Sequence, residues 1–142
     1  MAKAAFVLKN VWKEFPEGTI HIVGVASEWA KNSPYAVVKM KGQYFIGTDN
    51  GFFSLLFDES VEPDWIRTIK LIGDEDLSFP TKSIFVSIAA KLTQAEGLDD
   101  FSTAVESFRR RPLPMPVVEF DNIRGIAIYV DSYGNVITNI TR

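Results

Sequence analysis

The amino-acid sequence predicts an α/β fold, with a mixed α/β portion first and the start of a C-terminal β domain after it. Up to residue 111, segments with the apolar spacing of amphipathic helices alternate with short apolar runs typical of strands. Prolines at positions 112, 114 and 116 then interrupt regular structure, as in a stiff linker. Only β-type runs follow. We therefore divide the chain into residues 1–111, a proline-rich linker at 112–118, and the start of a β domain at 119–142.

The first half of the chain predicts one long helix and several strands. Residues 3–15 place apolar side chains on one helical face, and Pro16 and Gly18 end this helix. Lys41 and Gly42 form a turn between two strands. The strands are predicted at 19–25, 36–40, 44–48 and 68–72, the first of them buried, and a short apolar run at 52–57 is compatible with a helix.

The second half predicts two more helices and then a β-hairpin. Pro80 suits the first turn of a helix over residues 81–92. The spacing of Phe101, Ala104, Val105 and Phe108 predicts a third helix, capped by Asp99 or Asp100. Two β-runs, at 125–130 and 136–140, flank a turn at 131–135.

Composition excludes several classes of function. The net charge of −3 and the pI near 5.2 argue against a nucleic-acid-binding protein, which needs a basic face to neutralise phosphates. The basic run Arg109–Arg111 is interpreted as the solvated end of the third helix. The chain has no cysteine, which excludes disulfides and thiolate metal sites. No apolar run is long enough to span a membrane, so a cytoplasmic location is expected.

General catalytic patterns are missing from the sequence. No glycine-rich phosphate loop is present, no metal-ligand cluster is apparent, and the single histidine, His21, lies in an apolar strand where a core or interface role is typical. Three polar loops remain, at residues 26–34, 47–51 and 78–83. Ligands bind beyond the carboxyl ends of strands in α/β sheets, so these loops are the candidate site, with simple turn chemistry as the alternative.

Four motifs in order resemble those of the S-adenosylmethionine (SAM) hydroxide adenosyltransferase family, which also includes SAM-dependent fluorinases and chlorinases. The segment at 15–21 is similar to the family's Phe-Pro-x-Gly-Thr-[Ile/Val]-His, and 49–51 to its Asp-Asn-Gly. Residues 79–85 resemble its Phe-His-Gly-Arg-Asp-x-Phe helix start. The most specific likeness is 131–140, which resembles Asp-x-[Phe/Tyr]-Gly-Asn-x-x-Thr-Asn-Ile.

The resemblance implies a Rossmann-like sheet with helices, a β-barrel-like C-terminal domain, and a trimer with sites between the two types of domain. Family members are roughly twice this length. The chain resembles their middle part, without the opening strand and its SAM-contacting aspartate and with an early stop in the β domain. We therefore expect a partial member of the family.

The family reaction is attack of a small nucleophile on C5′ of SAM, which displaces methionine. In the hydroxide branch an Asp-Arg-His set orients water, and adenosine is released. When the chain is matched to these family motifs, Ala26 and Pro80 fall where the family has this aspartate and histidine, and Ser83 falls where it has a further aspartate. The loop at 26–34 has no arginine, only Lys31, and Glu28 is the nearest carboxylate. The water-activating set is thus expected to be missing.

Positions that hold the substrate are better matched. Phe79 aligns with a residue beside the adenosyl group, and Thr81 with a serine that faces the nucleophile in halide-using relatives. Asp131 and Asn135 align with residues that contact the methionine and adenine parts, although a tight hairpin would need the same residues. Asp49 and Asn50, from the Asp-Asn-Gly segment, complete the expected substrate-binding set.

Three functions follow from this resemblance. The first is a SAM-cleaving enzyme that uses water, the second a degenerate module that holds SAM or adenosine without turnover, and the third an assembly remnant without a ligand. No cofactor, metal, nucleic acid or membrane is expected; SAM is a substrate or ligand.

Overall fold

A computed structural model of the chain describes residues 1–57, 60–73, 75–94, 97–111 and 114–140. The expected α/β fold is confirmed: a five-stranded mixed sheet with helices precedes two small antiparallel sheets. Pro112 and Leu113 of the predicted linker lie outside the described residues, and the linker's division of the chain stays a prediction.

The helices and strands are as follows. The helices are α1 (Ala2–Val11), continued by a 3₁₀ turn (Trp12–Glu14), α2 (Phe52–Leu56), α3 (Val86–Thr93), preceded by a π-helical turn (Thr81–Phe85), and α4 (Leu98–Phe101). The strands of the large sheet are β1 (Ile20–Ile22), β2 (Tyr35–Met40), β3 (Gln43–Thr48), β4 (Trp65–Ile69) and β5 (Ser102–Val105). The strands of the small sheets are β6 (Val117–Val118), β7 (Ile123–Arg124), β8 (Ala127–Val130) and β9 (Val136–Thr138).

The large sheet has the order β1-β3-β2-β4-β5. The strands β1 and β3 are parallel, whereas β2 is antiparallel to both β3 and β4, and β5 is antiparallel to β4. The carboxyl ends of β1, β3 and β4 therefore meet at one edge of the sheet, which we call the carboxyl edge. The start of β2 lies at the same edge.

Each face of the sheet carries its own apolar core. One core packs α1 and α2 against the sheet and is rich in phenylalanine, as the high Phe content of the sequence suggests. Its buried aromatic members are Trp12, Phe45, Phe52, Phe53 and Phe57. The other core packs the π-helical turn and α3 against the opposite face, around Tyr35, Ile46 and Phe85. The sheet is thus rigidly held between two layers, which is a suitable support for loops at its edge.

The predicted third helix is wrong. Helix α4 ends at Phe101, and two residues predicted to continue it, Ala104 and Val105, belong to β5. The expected cap is also wrong, because Gly97 occupies the N-cap and Asp99 lies in the first turn. The edge of β4 that is not paired with β2 has backbone N–H and C=O groups available, and residues 102–105 pair with them. This strand pairing outweighs the weak helical preference of a short segment.

Two strand predictions need smaller corrections. The strand predicted at 68–72 is β4, which spans Trp65–Ile69, because antiparallel pairing with residues 36–39 of β2 sets its register. The charged Arg67 lies in the middle of this strand, so the sequence does not show a continuous apolar run there. β1 is shorter and less buried than expected because it lies at the edge of the sheet, and Ile22 is exposed.

Candidate functional site

The loop after β1 and the segment before α3 meet at the carboxyl edge. We call residues 26–34 the β1 loop. A Cβ atom on Gly24, just before this loop, would lie only 2.8 Å from Oγ1 of Thr81 at the start of the π-helical turn. This close approach brings Thr81 directly onto the end of β1, so two of the three candidate loops are neighbours.

Asn50 connects the loop after β3 to the β1 loop. Its side-chain Nδ2 donates to the carbonyl oxygens of Val25 and Ala26, at 3.3 and 3.1 Å. Its Oδ1 accepts the backbone N–H of Phe52 at 3.1 Å, at the start of α2. Asn50 therefore fixes the start of the β1 loop, where Ala26 adopts a left-handed φ of 47° that residues other than glycine, Asn and Asp rarely use.

Asp49 is half-buried and is contacted by a residue far away in the sequence. Its Oδ1 accepts the backbone N–H of Arg109 at 2.7 Å. Burial raises the pKa of the Asp49 carboxyl, while the N–H and the positive charge of Arg109 act in the opposite direction.

Arg109 also reaches the far end of the β1 loop, which the sequence did not suggest. Its Nη1 lies 3.1 Å from both the carbonyl oxygen of Asn32 and Oγ of Ser33. The interpretation of Arg109–Arg111 as a solvated helix end is wrong, because the chain after β5 is not helical and runs back to the carboxyl edge. The β1 loop thus has an arginine beside it, supplied by another segment. Spacing alone could not reveal it.

Two further polar groups of this edge were missed from the sequence. The hydroxyl of Tyr35 donates to the carbonyl oxygen of Ser27 at 3.1 Å, and burial together with the negative charge of Glu28 raises the pKa of Tyr35. Oγ1 of Thr48 is, among the side chains that the structure describes, the buried polar atom that has no hydrogen-bond partner. An unpaired buried hydroxyl costs free energy, so Thr48 is a candidate contact for water or a ligand.

The substituted family positions offer little polar chemistry. Ala26 is exposed and presents a methyl group, whereas Pro80 is buried at the start of the π-helical turn. Oγ of Ser83 lies within hydrogen-bond distance of the carbonyl oxygens of Asp76 and Phe79 and has one proton to donate, so its hydrogen bonding is local. Phe79 is 60% exposed and presents an aromatic ring to solvent next to Thr81.

Asp131 and Asn135 lie in the turn between β8 and β9. Oδ1 of Asp131 accepts the backbone N–H groups of Tyr133 and Asn135 at 2.9 and 2.8 Å, and its Oδ2 accepts from Nδ2 of Asn135 at 2.8 Å. These hydrogen bonds, led by the one from the Asn135 side chain, lower the pKa of Asp131. All of them stay within the turn, so the hairpin explanation accounts for both residues and their ligand contacts stay a prediction.

The hairpin that carries this turn packs against α1. The rings of Phe6 and Tyr129 are 6.0 Å apart, and Nζ of Lys3 lies 4.9 Å from the centre of the Tyr129 ring. Asn139 anchors the hairpin on its other side: its Nδ2 donates to the carbonyl oxygen of Pro114, and its Oδ1 accepts the N–H of Ile126. These contacts do not join Asp131 or Asn135 to the loops of the carboxyl edge.

His21 has the core role expected for it. Its ring stacks on Phe45 at 4.5 Å, and its Nε2 lies 2.7 Å from Oε1 of Gln43. Nε2 of Gln43 donates to the carbonyl oxygen of Phe15, so Oε1 is left as an acceptor and Nε2 of His21 carries the proton. Over the described ranges, no three histidine, cysteine or carboxylate side chains are grouped to hold a metal ion.

A groove lies mainly on the side of the sheet edge opposite these loops. It has a volume of about 610 Å³ and lies between the start of β4, the end of β5, Phe57 and Phe108. The start of β4 and the end of β5 lie at the edge opposite the carboxyl edge, while Ser54 and Arg111 extend the lining of the groove towards Gly51 at the carboxyl edge. We place the candidate site at the loops, where the polar groups converge, rather than at the groove.

No helix in the described part of the chain is long and apolar enough to cross a membrane.

Comparison with known proteins identifies relatives over nearly the whole chain. Residues 1–102 match the SAM hydroxide adenosyltransferase N-terminal domain. An uncharacterized conserved protein from Thermotoga maritima is similar in structure, with a TM-score of 0.79 and 30% identity over 98% of this chain and 55% of that protein. A conserved hypothetical protein from Thermus thermophilus shares the fold, with a TM-score of 0.68 and 21% identity over 99% of this chain and 55% of that protein.

The chain therefore spans about half the length of these two relatives. The matched domain covers most of the sequence and includes the loops of the carboxyl edge, and on this ground the chain belongs to the SAM hydroxide adenosyltransferase family.

Proposed function

We propose that the chain is a SAM-binding, adenosyltransferase-like protein whose family reaction converts SAM and water into adenosine and methionine. The observation that carries this proposal is the meeting of the β1 loop, Asn50 and Thr81 at one edge of the sheet. A ligand site beyond the carboxyl ends of strands is what this type of sheet supports. The family assignment supports SAM as the ligand.

In this proposal Phe79 packs against the adenosyl group and Thr81 faces the nucleophile. Asp49 and Asn50 shape the site, mainly by holding the loops around it. The sulfonium of SAM is already an activated leaving group, so the protein has to align water with C5′ and exclude other solvent. Asp131 and Asn135 would contribute from the β8–β9 hairpin to the methionine and adenine parts.

A second candidate is a degenerate module that binds SAM or adenosine without turnover. It is favoured by the side chains at the positions that the resemblance assigns to water activation: a methyl group at Ala26, a buried ring at Pro80 and a locally bonded hydroxyl at Ser83. A non-catalytic assembly remnant is the third candidate, and it predicts no SAM binding at all.

One experiment separates the three candidates. Purified chain is titrated with SAM in a calorimeter and, separately, incubated with SAM while adenosine and methionine are quantified against a no-protein control. Equimolar products indicate hydrolysis, binding without products indicates the degenerate module, and no binding by folded protein contradicts the SAM proposal.

Phe79→Ala tests the location of the site. Phe79 is exposed, so its removal should leave the fold intact and weaken SAM binding about tenfold, which corresponds to about 1.4 kcal/mol of lost stacking and burial. Leu77→Ala, two residues away and also exposed, is the matched control. Equal affinities of the two variants would place the site elsewhere.

We also propose a homo-oligomer, a trimer by resemblance, and a cytoplasmic location. Exposed apolar side chains in the β6–β9 part support association, and Phe120, Met115 and Tyr133 are among the most exposed of these. The lack of cysteine in the sequence is consistent with a reducing compartment.

A further inference from the structure

The β1 loop is held at three points along its length. Asn50 holds its start through the carbonyl oxygens of Val25 and Ala26. Tyr35 holds Ser27. Arg109 holds the far end at Asn32 and Ser33. The first two points come from neighbouring strands of the sheet, whereas the third comes from a segment 76 residues further along the chain.

The backbone around Arg109 is itself fixed to the carboxyl edge. Its N–H donates to Oδ1 of Asp49, and the N–H of Arg111 donates to Oγ of Ser54 at 2.8 Å. Arg111 also packs tightly on Gly51, where an added Cβ would lie 2.5 Å from the Cβ of Arg111. The guanidinium therefore extends from a backbone that is anchored on both sides, so it can hold the loop rather than follow it.

We propose that Arg109 is a positioning residue that fixes the far end of the β1 loop and thereby holds the loop in the arrangement that binds SAM. The ligand part of this inference rests on the proposed function, while the loop part rests on geometry alone. Within the β1 loop itself the only cation is Lys31, an exposed residue, so the guanidinium next to Ser33 is contributed by the segment after β5.

The chemistry of the contact favours arginine over lysine. One guanidinium nitrogen, Nη1, bonds the carbonyl oxygen of Asn32 and the hydroxyl of Ser33 at equal distances of 3.1 Å. The planar guanidinium presents its N–H groups in fixed directions, whereas a lysine ammonium is a flexible point donor. Arg109→Lys should therefore keep the charge and restore only part of the positioning.

The test compares Arg109→Ala and Arg109→Lys with Lys31→Ala, which removes a positive charge from the same loop. Hydrogen exchange without ligand is followed at two amides that report on the loop: Ser33, which donates to the carbonyl oxygen of Ala30, and Asp49, which donates to that of Pro34. Exchange of the β2 and β3 amides and thermal unfolding report on the rest of the fold. SAM affinity is measured by calorimetry.

We expect Arg109→Ala to speed exchange at Ser33 about tenfold, as loss of hydrogen bonds to a charged group would. SAM affinity should fall by a similar factor, Arg109→Lys should lie between, and Lys31→Ala should match the wild type. Exchange within about twofold of the wild type, or an equal increase throughout β2 and β3, overturns the positioning role. If the wild type does not bind SAM, the proposed function fails, while the exchange result still decides the role of Arg109.

Discussion

Two opposing influences act on the pKa of the Asp49 carboxyl. Its carboxyl is half-buried, which favours the neutral form, while the N–H and the charge of Arg109 favour the ionised form. Burial is the larger influence, so the pKa is raised from 3.8. The native chain therefore binds the Asp49 proton more tightly than the unfolded chain does.

Asp49→Asn tests this balance through pH. A raised native pKa contributes stability that is fully present below the unfolded value of 3.8 and is lost as the pH rises through the native value. Asn keeps an Oδ1 acceptor for the Arg109 N–H but does not ionise. The free energy of unfolding of Asp49→Asn, relative to the wild type, should therefore increase as the pH rises from 3.8 through the raised native pKa and then level off.

Urea unfolding at several pH values measures this difference. Glu17→Gln, at an exposed carboxyl outside the site, is a suitable control for the loss of one negative charge. A stability difference for Asp49→Asn that does not change with pH would mean that burial and the Arg109 contacts cancel, and one that decreases as the pH rises would mean that the Arg109 contacts dominate.

At the level of single residues, the sequence predicted the positions of Asp49 and Asn50 in the fold better than it predicted the contacts of their side chains. Asp49 and Asn50 were predicted at the carboxyl edge, and they lie there, but the side-chain hydrogen bonds of Asn50 go to the β1 loop and α2. Arg109 and Thr48 were missed because their roles depend on long-range packing that no local spacing encodes.

Among the elements, the β8–β9 hairpin is the one in which a structural role and a ligand-binding role can be tested separately, at Asp131. Asp131 is partly exposed, and its carboxylate caps the turn through the hydrogen bonds from Asn135 and Tyr133. Those bonds lower its pKa, so their contribution to the turn is present above 3.8 and is lost as the pH falls through the native value.

Comparison of Asp131→Ala with Asp131→Asn distinguishes the two roles. Asp131→Ala removes the side-chain Oδ1 that accepts both backbone N–H groups, so it should speed hydrogen exchange of Tyr133 and Asn135 severalfold. Asp131→Asn keeps an Oδ1 acceptor and should preserve the turn. If Asp131 also contacts SAM through its charge, Asp131→Asn will weaken binding while exchange stays slow; unchanged affinity would leave it a turn residue only.

The sequence predicted well the elements whose structure depends on their own side chains. It predicted less well the strands whose structure depends on pairing with another strand. The hairpin of β2 and β3 follows from apolar runs around Lys41 and Gly42, and the latter supplies a φ of 73°. The segment of β5 has a helical spacing but pairs with β4, which has a free side. The register of β4 likewise comes from β2 and not from its own sequence.

At the scale of the whole molecule, the two parts of the chain differ in how well they bury apolar side chains. In the α/β part, Phe45, Phe53 and Phe85 are completely buried between the large sheet and its helices. The part from residue 114 onwards forms two two-stranded sheets, and isolated ribbons of this kind are only marginally stable in water. Phe120 and Met115 in this part are almost wholly exposed. Such a surface is typical of a sheet that a partner covers.

The oligomeric state tests whether a second copy covers this surface. If the proposed trimer forms, light scattering during gel filtration should give about three times the mass of one chain, and Phe120→Asp should shift the mass towards that of a monomer because it places a charge in the apolar contact. Ile72→Asp, at a similarly exposed apolar side chain on the α/β part, should leave the mass unchanged. A wild-type monomer at micromolar concentration would contradict the homo-oligomer, and the exposed β surface would then require a different partner.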